Sequence, residues 1–167
     1  MITAVVCADN NWGIGLKGKR ITNIPDDEKY IATVSSGQNI IMGRKTFDTT
    51  PARWHLQNSN IIVISRRSGF RPSGCTVVKN HEQALKAAKD HGGDIYIVGG
   101  ERVFKELLDC CDEVRVTHVD YEYDCDAYFP NLDKKIEWVM IWESEEQTHF
   151  DTVYYFRRYR RRKLLEV

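Results

Sequence analysis

The stretch DIYIVGGERVFKELLD (residues 94–109) joins a short apolar run to two glycines and then to a segment of mixed polarity. Residues 94–98 are almost entirely apolar and partly β-branched, which is typical of a strand covered on both faces. The nine residues after the glycines carry one apolar face at helical spacing, formed by Val103, Phe104, Leu107 and Leu108. The stretch therefore predicts a strand, a tight glycine turn and an amphipathic helix.

The same alternation of strand-like and helix-like segments extends along the chain. Helices are predicted at residues 25–36, which begin with a proline, and at 81–91, which follow an asparagine N-cap. This alternation favours an α/β fold with a doubly wound, mostly parallel sheet and helices on both faces. Two runs at 138–144 and 151–159 predict a C-terminal antiparallel hairpin. The other predicted strands are 2–8, 39–43, 60–65, 76–78 and 113–119.

Size, charge and cysteine content narrow the class of protein. The 167 residues and 42% hydrophobic content suit a single domain. Basic and acidic residues both number 24, so no global field favours nucleic acid or an anionic membrane. The N-terminus lacks a signal-peptide pattern, and no apolar run approaches membrane-span length. The five cysteines contain no C-x-x-C pair, so we expect reduced thiols in a cytoplasmic protein without a metal site.

Cations follow three predicted strands at their carboxyl ends, where ligands bind in open α/β sheets. Converging on one crevice, these residues would hold several phosphates, and the adjacent glycines would let the backbone approach a ligand closely. The alternative is a tight turn with solvated basic side chains. The three segments are Arg44-Lys45-Thr46, Ser65-Arg66-Arg67 and Gly99-Gly100-Glu101-Arg102.

Two common phosphate-binding motifs are missing from the sequence. A P-loop would require glycine at Gln38 and lysine at Arg44, and the G-x-G-x-x-G fingerprint does not occur. The second strand also lacks the acidic residue that would bind a ribose 2′-hydroxyl. The basic segment that begins at Ser65 suits a 2′-phosphate instead, which favours NADP over NAD.

A proline precedes three carboxylates in NIPDDEKY (residues 23–30). Proline and acidic residues are both common in a first helical turn for reasons unconnected with catalysis. The alternative is that one of Asp26, Asp27 and Glu28 faces inward and handles a proton. The local sequence favours the solvated turn, and a catalytic carboxylate remains the second interpretation.

Seven motifs in fixed order resemble the dihydrofolate reductase family from residue 1 to about residue 159. No single motif is decisive, but their order and spacing together are specific. The resemblance implies an eight-stranded sheet and an enzyme that reduces 7,8-dihydrofolate to 5,6,7,8-tetrahydrofolate with NADPH. The motifs are A-V-V-C-A (4–8), W-G-I-G (12–15), N-I-P-x-D (23–27), I-M-G-R-K-T-F (41–47), N-I-I-V-I-S-R (60–66), I-V-G-G-x-R-V-F (97–104) and T-H-V-D (117–120).

The resemblance implies a pterin pocket centred on Asp27, with Asp26 and Glu28 remaining ordinary helix-start residues. The Asp27 carboxylate would bind the pterin 2-amino group and N3–H, and would promote protonation of N5 through water during hydride transfer to C6. A carboxylate on the inner side of a first helical turn suits such a bidentate contact, and burial should raise its pKa. The other expected substrate-binding residues are Val5, Val6, Ile31, Val98 and Thr117, the last hydrogen-bonded to Asp27.

The resemblance also implies a cofactor site along the strand ends. Gly99 and Gly100, which a cis peptide joins in the family, would contact the pyrophosphate with Thr46 opposite. The nicotinamide would be lined by Cys7, Ile14 and Gly15. The 2′-phosphate would be bound by Arg44, Ser65, Arg66 and Arg102, with Lys45 and Lys79 as weaker candidates. Gly43, Val103 and Phe104 complete the expected cofactor-binding set.

Several positions on the pterin and nicotinamide side depart from the family's pattern. Ile21-Thr22 replaces a Pro-Trp pair whose indole helps to order the water that feeds N5, and the Thr22 hydroxyl is the candidate that holds this water here. Phe104 replaces a common tyrosine, and the loop at residues 16–20 is unusually basic for a lid. Proton delivery and antifolate affinity are therefore open.

The arginine that binds the substrate's glutamate α-carboxylate in the family is replaced by Asn58. Arg53 or His55 is the candidate substitute. The alternative function is reduction of another pterin or pyrimidine on the same fold.

Residues 160–167 follow the expected domain at 1–159 and form part of a strongly basic C-terminal run. We expect a solvated, disordered or vector-derived tail, because runs of like charge usually remain in water. The alternative is a binding module that contacts nucleic acid. The favoured interpretation is a monomer with no nucleic-acid or membrane partner, whose ligands are dihydrofolate and candidate antifolate inhibitors.

Overall fold

The computed structural model describes residues 1–50 and 58–165. Within them the helices are α1 (Pro25–Val34), α2 (Arg44–Thr49), α3 (His81–His91) and α4 (Glu101–Leu107). The strands are β1 (Ile2–Ala8), β2 (Gly13–Leu16), β3 (Lys19–Arg20), β4 (Asn39–Gly43), β5 (Asn60–Ile64), β6 (Thr76–Val78), β7 (Ile95–Ile97), β8 (Glu113–Val119), β9 (Ala127–Tyr128), β10 (Trp138–Glu143), β11 (Gln147–His149) and β12 (Thr152–Arg161).

The main sheet has the strand order β10-β12-β8-β1-β7-β4-β5-β6, and β11 adds to β12. Along this order, the neighbouring strands β8-β1-β7-β4-β5-β6 pair in parallel. Strand β12 is antiparallel to β8, β10 and β11. The expected α/β fold with a mostly parallel eight-stranded sheet and an antiparallel C-terminal hairpin is confirmed. The short strand β11 is an addition to that expectation.

Apolar residues cover both faces of the sheet, as β4 illustrates. Its side chains alternate between the faces, so Ile41 joins one apolar cluster while Ile40 and Met42 join another. Leu107 of α4 packs in the first cluster and Ile31 of α1 packs in the second. Helices therefore lie on both faces, which explains why the central strands are apolar almost throughout.

Some elements begin or end differently from the prediction. The first helix ends at Val34, where both the backbone N–H and the hydroxyl of Ser35 donate to the carbonyl of Ile31. The helix predicted at 101–109 divides into α4 and a 3₁₀ turn at Leu108–Cys110. A separate three-stranded sheet, β3-β2-β9, was not predicted, because two of its strands have only two residues each.

The basic C-terminal run is part of the sheet for longer than expected. Strand β12 continues through Arg161, and a 3₁₀ turn covers Arg162–Leu164. Arg158 and Arg160 donate to the carboxylate of Glu113 at 2.6 and 3.0 Å, and Arg161 donates to two main-chain carbonyls near Cys111. The boundary predicted at residue 159 is therefore two residues too early for the strand.

The cysteines at 7, 75, 110, 111 and 125 are all free thiols. Within residues 1–50 and 58–165, no helix has the length and apolar character needed to cross a membrane. The same residues contain no group of three or more His, Cys, Asp or Glu side chains arranged to hold a metal ion.

Candidate active site

A cleft of about 1230 Å³ opens at the carboxyl ends of β4, β5 and β7. Its walls come from β1, the β2–β3 hairpin, α1 and the first residues of α2 and α4. Every residue expected to contact the cofactor lies on this cleft, and so do Lys79 and Thr22. Among the expected substrate residues Val5, Val6, Asp27, Ile31 and Val98 line it as well.

Thr117 does not line the cleft and instead reaches Asp27 from behind. Its side chain is 2% exposed on β8, and its hydroxyl donates a hydrogen bond of 2.5 Å to Oδ1 of Asp27. The backbone N–H of Asp27 donates to the carbonyl of Ile24, which begins the turn that Pro25 favours. The carboxyl group is thus held from both the helix and the sheet.

The environment of Asp27 raises its pKa to about 6, and burial is the main cause. The hydrogen bond from Thr117 and the positive charge of Arg115 oppose this rise. Nearby Asp26 adds to the rise, whereas Arg20 opposes it. Burial was expected to raise this pKa, and a carboxyl group that titrates near neutral pH is suited to handling protons.

The three carboxylates of the first helical turn have different surroundings. Asp26 is exposed and accepts a hydrogen bond of 3.0 Å from the hydroxyl of Tyr154. Asp27 and Glu28 both line the cleft. Glu28 was expected to be an ordinary helix-start residue, and it lies on the same cleft as Asp27.

The part of the cleft where the nicotinamide was expected contains a partly buried thiol and a basic side chain from β3. Burial raises the pKa of Cys7 well above its usual value, and the negative charge of Asp27 adds to the rise. Arg20 enters the cleft from β3. Burial lowers the pKa of its guanidinium, and the negative charge of Glu28 opposes that change. Arg20 belongs to the basic loop at residues 16–20 and was not among the site residues predicted from the sequence.

Glycines at the middle of the cleft allow the main chain to approach other groups closely. Gly99 and Gly100 are joined by a cis peptide, and Gly99 has a φ of +120°. A Cβ at Gly99 would lie 3.2 Å from the ring of Phe104, and a Cβ at Gly43 would lie 3.3 Å from Val103. The backbone N–H of Gly43 donates to the carbonyl of Gly99 at 2.8 Å. These residues form a narrow cradle with no side chain in it.

The far end of the cleft is basic and exposed. Arg44 pairs with Asp48 at 2.8 Å, and Arg102 pairs with Glu106 at 2.9 Å. The hydroxyl of Ser65 accepts from the backbone N–H of Arg67 at 3.1 Å. Further cleft-lining basic side chains that were not assigned to the site from the sequence are Lys17, Lys19, Arg67 and His81. The Ser-Arg-Arg run carried the signal for Arg67, whereas nothing in the sequence marked His81.

Two of the departures from the family's pattern can be located. Asn58 is exposed, and its main-chain carbonyl accepts from the N–H of Gly37 at 2.8 Å. Phe104 is buried and packs edge-to-face on Phe129, with ring centroids 4.9 Å apart. Arg53 and His55, the candidate substitutes for the missing arginine, lie outside the described residues.

Comparisons with known proteins agree with this geometry. The family model described as "Dihydrofolate reductase" matches residues 1–161. The dihydrofolate reductase of Bacillus subtilis (strain 168) is 29% identical over 148 residues, which cover 89% of this chain and 85% of that protein. The Neisseria gonorrhoeae dihydrofolate reductase is 29% identical over 147 residues, which cover 88% of this chain and 86% of that protein.

A solved structure of the dihydrofolate reductase from Enterococcus faecalis, complexed with NADP(H) and RAB-propyl, superposes with a TM-score of 0.82. It is 26% identical in sequence, and the match covers 97% of this chain and 96% of the other. Since the family model spans nearly all of the sequence and the folds superpose over their full length, the chain belongs to the dihydrofolate reductase family.

Proposed function

We propose that this protein is an NADPH-dependent oxidoreductase that reduces 7,8-dihydrofolate to 5,6,7,8-tetrahydrofolate. The observation that carries the proposal is the position of Asp27. Its carboxyl group lies on the same cleft as the glycine cradle and the basic side chains. The expected alternative, a reductase of another pterin or pyrimidine, is not favoured by the family match.

Asp27 binds and orients the substrate in this proposal. The planar 2-amino and N3–H edge of a pterin presents two parallel donors, which suit the two oxygens of one carboxylate. Thr117 fixes the rotation of that carboxylate through its hydrogen bond to Oδ1. Val5, Val6, Ile31 and Val98 provide apolar walls against which the ring system packs.

The cleft fits NADPH in shape and charge. The cradle at Gly43, Gly99 and Gly100 leaves space where a Cβ would crowd the neighbouring side chains, so it can receive a pyrophosphate. Cys7, Ile14 and Gly15 would hold the nicotinamide against the pterin site, and Val103 and Phe104 would support it from below. The bound cofactor supplies the hydride that pterin C6 receives.

The 2′-phosphate would be bound by the basic end of the cleft. Arg44, Arg66 and Arg102 offer charge-assisted donors, and Ser65 adds a hydroxyl. Lys45 and Lys79 line the same region and are the weaker candidates. Two of the arginines already have acidic neighbours, so a phosphate would replace or share those ion pairs.

Protonation of N5 makes C6 a better hydride acceptor, and Asp27 promotes it. A carboxyl group with a pKa of about 6 exchanges protons readily near neutral pH. Thr22 lines the cleft and is partly buried, so its hydroxyl is placed to hold the water that carries the proton. This residue takes the role that an indole has elsewhere in the family.

We further propose a cytoplasmic monomer with no nucleic-acid or membrane partner, and antifolates as candidate inhibitors. Five free thiols suit a reducing compartment. The equal numbers of basic and acidic residues, and the engagement of Arg158, Arg160 and Arg161 in the fold, argue against a basic tail that recruits nucleic acid. The remaining tail residues, 162–167, are proposed to have no part in activity.

The test is a spectrophotometric assay of NADPH oxidation with dihydrofolate, repeated with NADH and with dihydropteroate. We expect turnover with dihydrofolate and a strong preference for NADPH. Asp27→Asn should lower turnover by about 10²–10⁴ while NADPH affinity changes little. Asp26→Asn is the matched control, because this neighbouring carboxylate is exposed. Unchanged turnover in Asp27→Asn would refute the assignment, and reduction of dihydropteroate but not dihydrofolate would point to another pterin.

A further inference from the structure

Strand β8 contacts helix α1 through Thr117 and through Arg115. Thr117 donates to Asp27. Arg115, two residues earlier on the strand, faces the same way because side chains alternate along a strand. Its guanidinium carbon lies 3.5 Å from the ring centroid of Tyr30. Tyr30 follows Asp27 by three residues in α1 and so shares its helix face.

A second ring completes the surroundings of Arg115. The guanidinium carbon lies 4.8 Å from the ring centroid of Phe156, which is on the adjacent strand β12. Tyr30 and Phe156 therefore both hold the cation by contact with their faces, an interaction that strengthens when the charge is partly desolvated. Arg115 is partly buried and lies outside the cleft lining, so it stands behind the pterin site.

The charge of Arg115 is not neutralised by an ion pair with any residue in 1–50 or 58–165. The nearby acidic side chain on the same strand, Glu113, is already bound by Arg158 and Arg160. Arg158, which lies opposite Arg115 across the strand pair, is thus ion-paired with Glu113. The positive field of Arg115 remains available to act on Asp27.

We propose that Arg115 is a positioning residue for the reaction proposed above. It holds α1 against β8 through its contact with Tyr30. It also supplies the positive charge that keeps Asp27 ionised and oriented toward the substrate. The inference rests on the proposed function for its catalytic meaning. Its physical content, a cation acting on a carboxylate from behind the cleft, does not depend on which substrate is bound.

Within residues 1–50 and 58–165, the titratable and charged groups around Asp27 come from five elements. They are Cys7 on β1, Arg20 on β3, Asp26 and Glu28 on α1, Arg115 and Thr117 on β8, and Tyr154 on β12. Burial is the largest influence on the pKa of Asp27 and raises it. Of the two cations that oppose the rise, Arg115 has the greater effect and Arg20 the smaller. Arg115 is therefore the cation whose removal should change the titration of Asp27 most.

The test measures the titration of the Asp27 carboxyl carbon by ¹³C NMR in the full-length protein, together with the pH dependence of kcat/KM. Arg115→Met keeps an apolar stem on the two rings but removes the charge. We expect the Asp27 titration to move upward by about one pH unit, the lower end of the effect of an opposite charge. The matching titration in kcat/KM should move by the same amount.

Two further variants separate charge from packing. Arg115→Lys keeps the charge and should leave the Asp27 titration near its wild-type position. Arg158→Met is the matched control, because it removes an arginine from the same sheet face that pairs with Glu113 and does not influence the pKa of Asp27. It should cause no shift.

The outcomes are decisive in each case. An unshifted Asp27 titration in Arg115→Met, or an equal shift in Arg115→Lys, overturns the proposal. If Arg115→Met does not fold, Arg115→Gln is measured by the same criterion. The NMR titration is made without substrate, so a wild-type protein that fails to reduce dihydrofolate would refute the proposed function while leaving the proposal on Arg115 to be decided separately.

Discussion

Replacing Asp27 by asparagine should make the protein more stable at neutral pH even as it removes activity. The folded protein raises the pKa of this carboxyl group from 3.8 to about 6. Above pH 6 the folded chain therefore holds an ionised carboxylate in surroundings less favourable to it than water. Asparagine has nearly the same shape, carries no charge, and keeps an oxygen that can accept the hydrogen bond from Thr117.

The magnitude follows from the displacement of the pKa. Each pKa unit corresponds to about 1.4 kcal/mol, so the full displacement gives an upper value of about 3 kcal/mol. Solvent at the mouth of the cleft reduces this upper value. We expect Asp27→Asn to raise the free energy of unfolding by about 1–3 kcal/mol at pH 7.5. For a protein of this size, each kcal/mol raises Tm by roughly 2–4 °C. The variant should therefore melt roughly 2–12 °C higher than the wild type.

The gain in stability should depend on pH with a defined sign. A folded-state pKa above the unfolded value means that folding takes up a proton between the two values, so the penalty is full above pH 6. It shrinks as the pH falls from about 6 towards 3.8 and vanishes once both states are protonated. The difference in unfolding free energy between the variant and the wild type should therefore be largest above pH 6 and should decrease as the pH falls towards 3.8.

Thermal unfolding followed by circular dichroism at pH 7.5 and 4.5 measures this effect. Asp151→Asn is the control, because its carboxylate is exposed in the turn between β11 and β12, away from the cleft. An Asp27→Asn protein that is less stable than the wild type at pH 7.5, or whose gain is the same at both pH values, would refute the reasoning.

Three other variants test separate parts of the structure. Arg66→Gln combined with Ser65→Ala should reduce the preference for NADPH over NADH by roughly a hundredfold or more, since each charge-assisted contact contributes about 1.5–3 kcal/mol. The preference is measured as the ratio of kcat/KM for the two cofactors. An unchanged ratio would show that these residues do not bind the 2′-phosphate. Burial favours the neutral form of Glu113, but the hydrogen bonds of two arginines outweigh that and lower its pKa. Glu113→Gln should therefore cost about 1–3 kcal/mol in urea unfolding at pH 7, with a smaller loss as the pH falls through the lowered pKa, and a pH-independent loss would contradict this. Thr22→Trp should tighten 2,4-diaminopyrimidine inhibitors, and an unchanged inhibition constant would show that another group already fills this space.

The parallel core was predictable because its signal is local. The segments predicted as strands at 39–43 and 60–65 are almost continuously apolar, and each became a strand with the expected bounds to within a residue. Helix α2 gave no such signal, since none of its six residues is buried and no apolar stripe marks it. The β2–β3–β9 sheet was missed for a similar reason, because it is held by main-chain pairing between very short strands.

The site was predictable only in part from local sequence. The segment at 23–30 favoured a solvated turn, and it was the resemblance to a family that selected Asp27 among three carboxylates. The hydrogen bond between Asp27 and Thr117 joins residues 90 positions apart, and the contact between Arg115 and Tyr30 depends on strand register. Such contacts depend on tertiary packing, which composition and periodicity do not predict.

The start of the basic C-terminal run was predicted as a solvated tail, whereas it forms the end of β12, and the reason is related. A run of like charges predicts solvation unless a buried partner is known, and the partner of Arg158 and Arg160 is Glu113, more than forty residues earlier. Glu113 is only 6% exposed. No local pattern in the sequence indicated that this acidic side chain would be covered by the last strand.

The way β12 ends has a practical consequence for protein engineering. Arg160 and Arg161 clamp the final strand to Glu113 and to the carbonyls of Leu108 and Cys111. A shortened chain that ends before Arg160 would leave the buried Glu113 carboxylate without one of its two arginine partners. It would also remove the hydrogen bonds that hold the end of β12 in the sheet. Affinity tags, fluorescent fusions and tethers should therefore be appended beyond Leu165, where the backbone has already left the sheet.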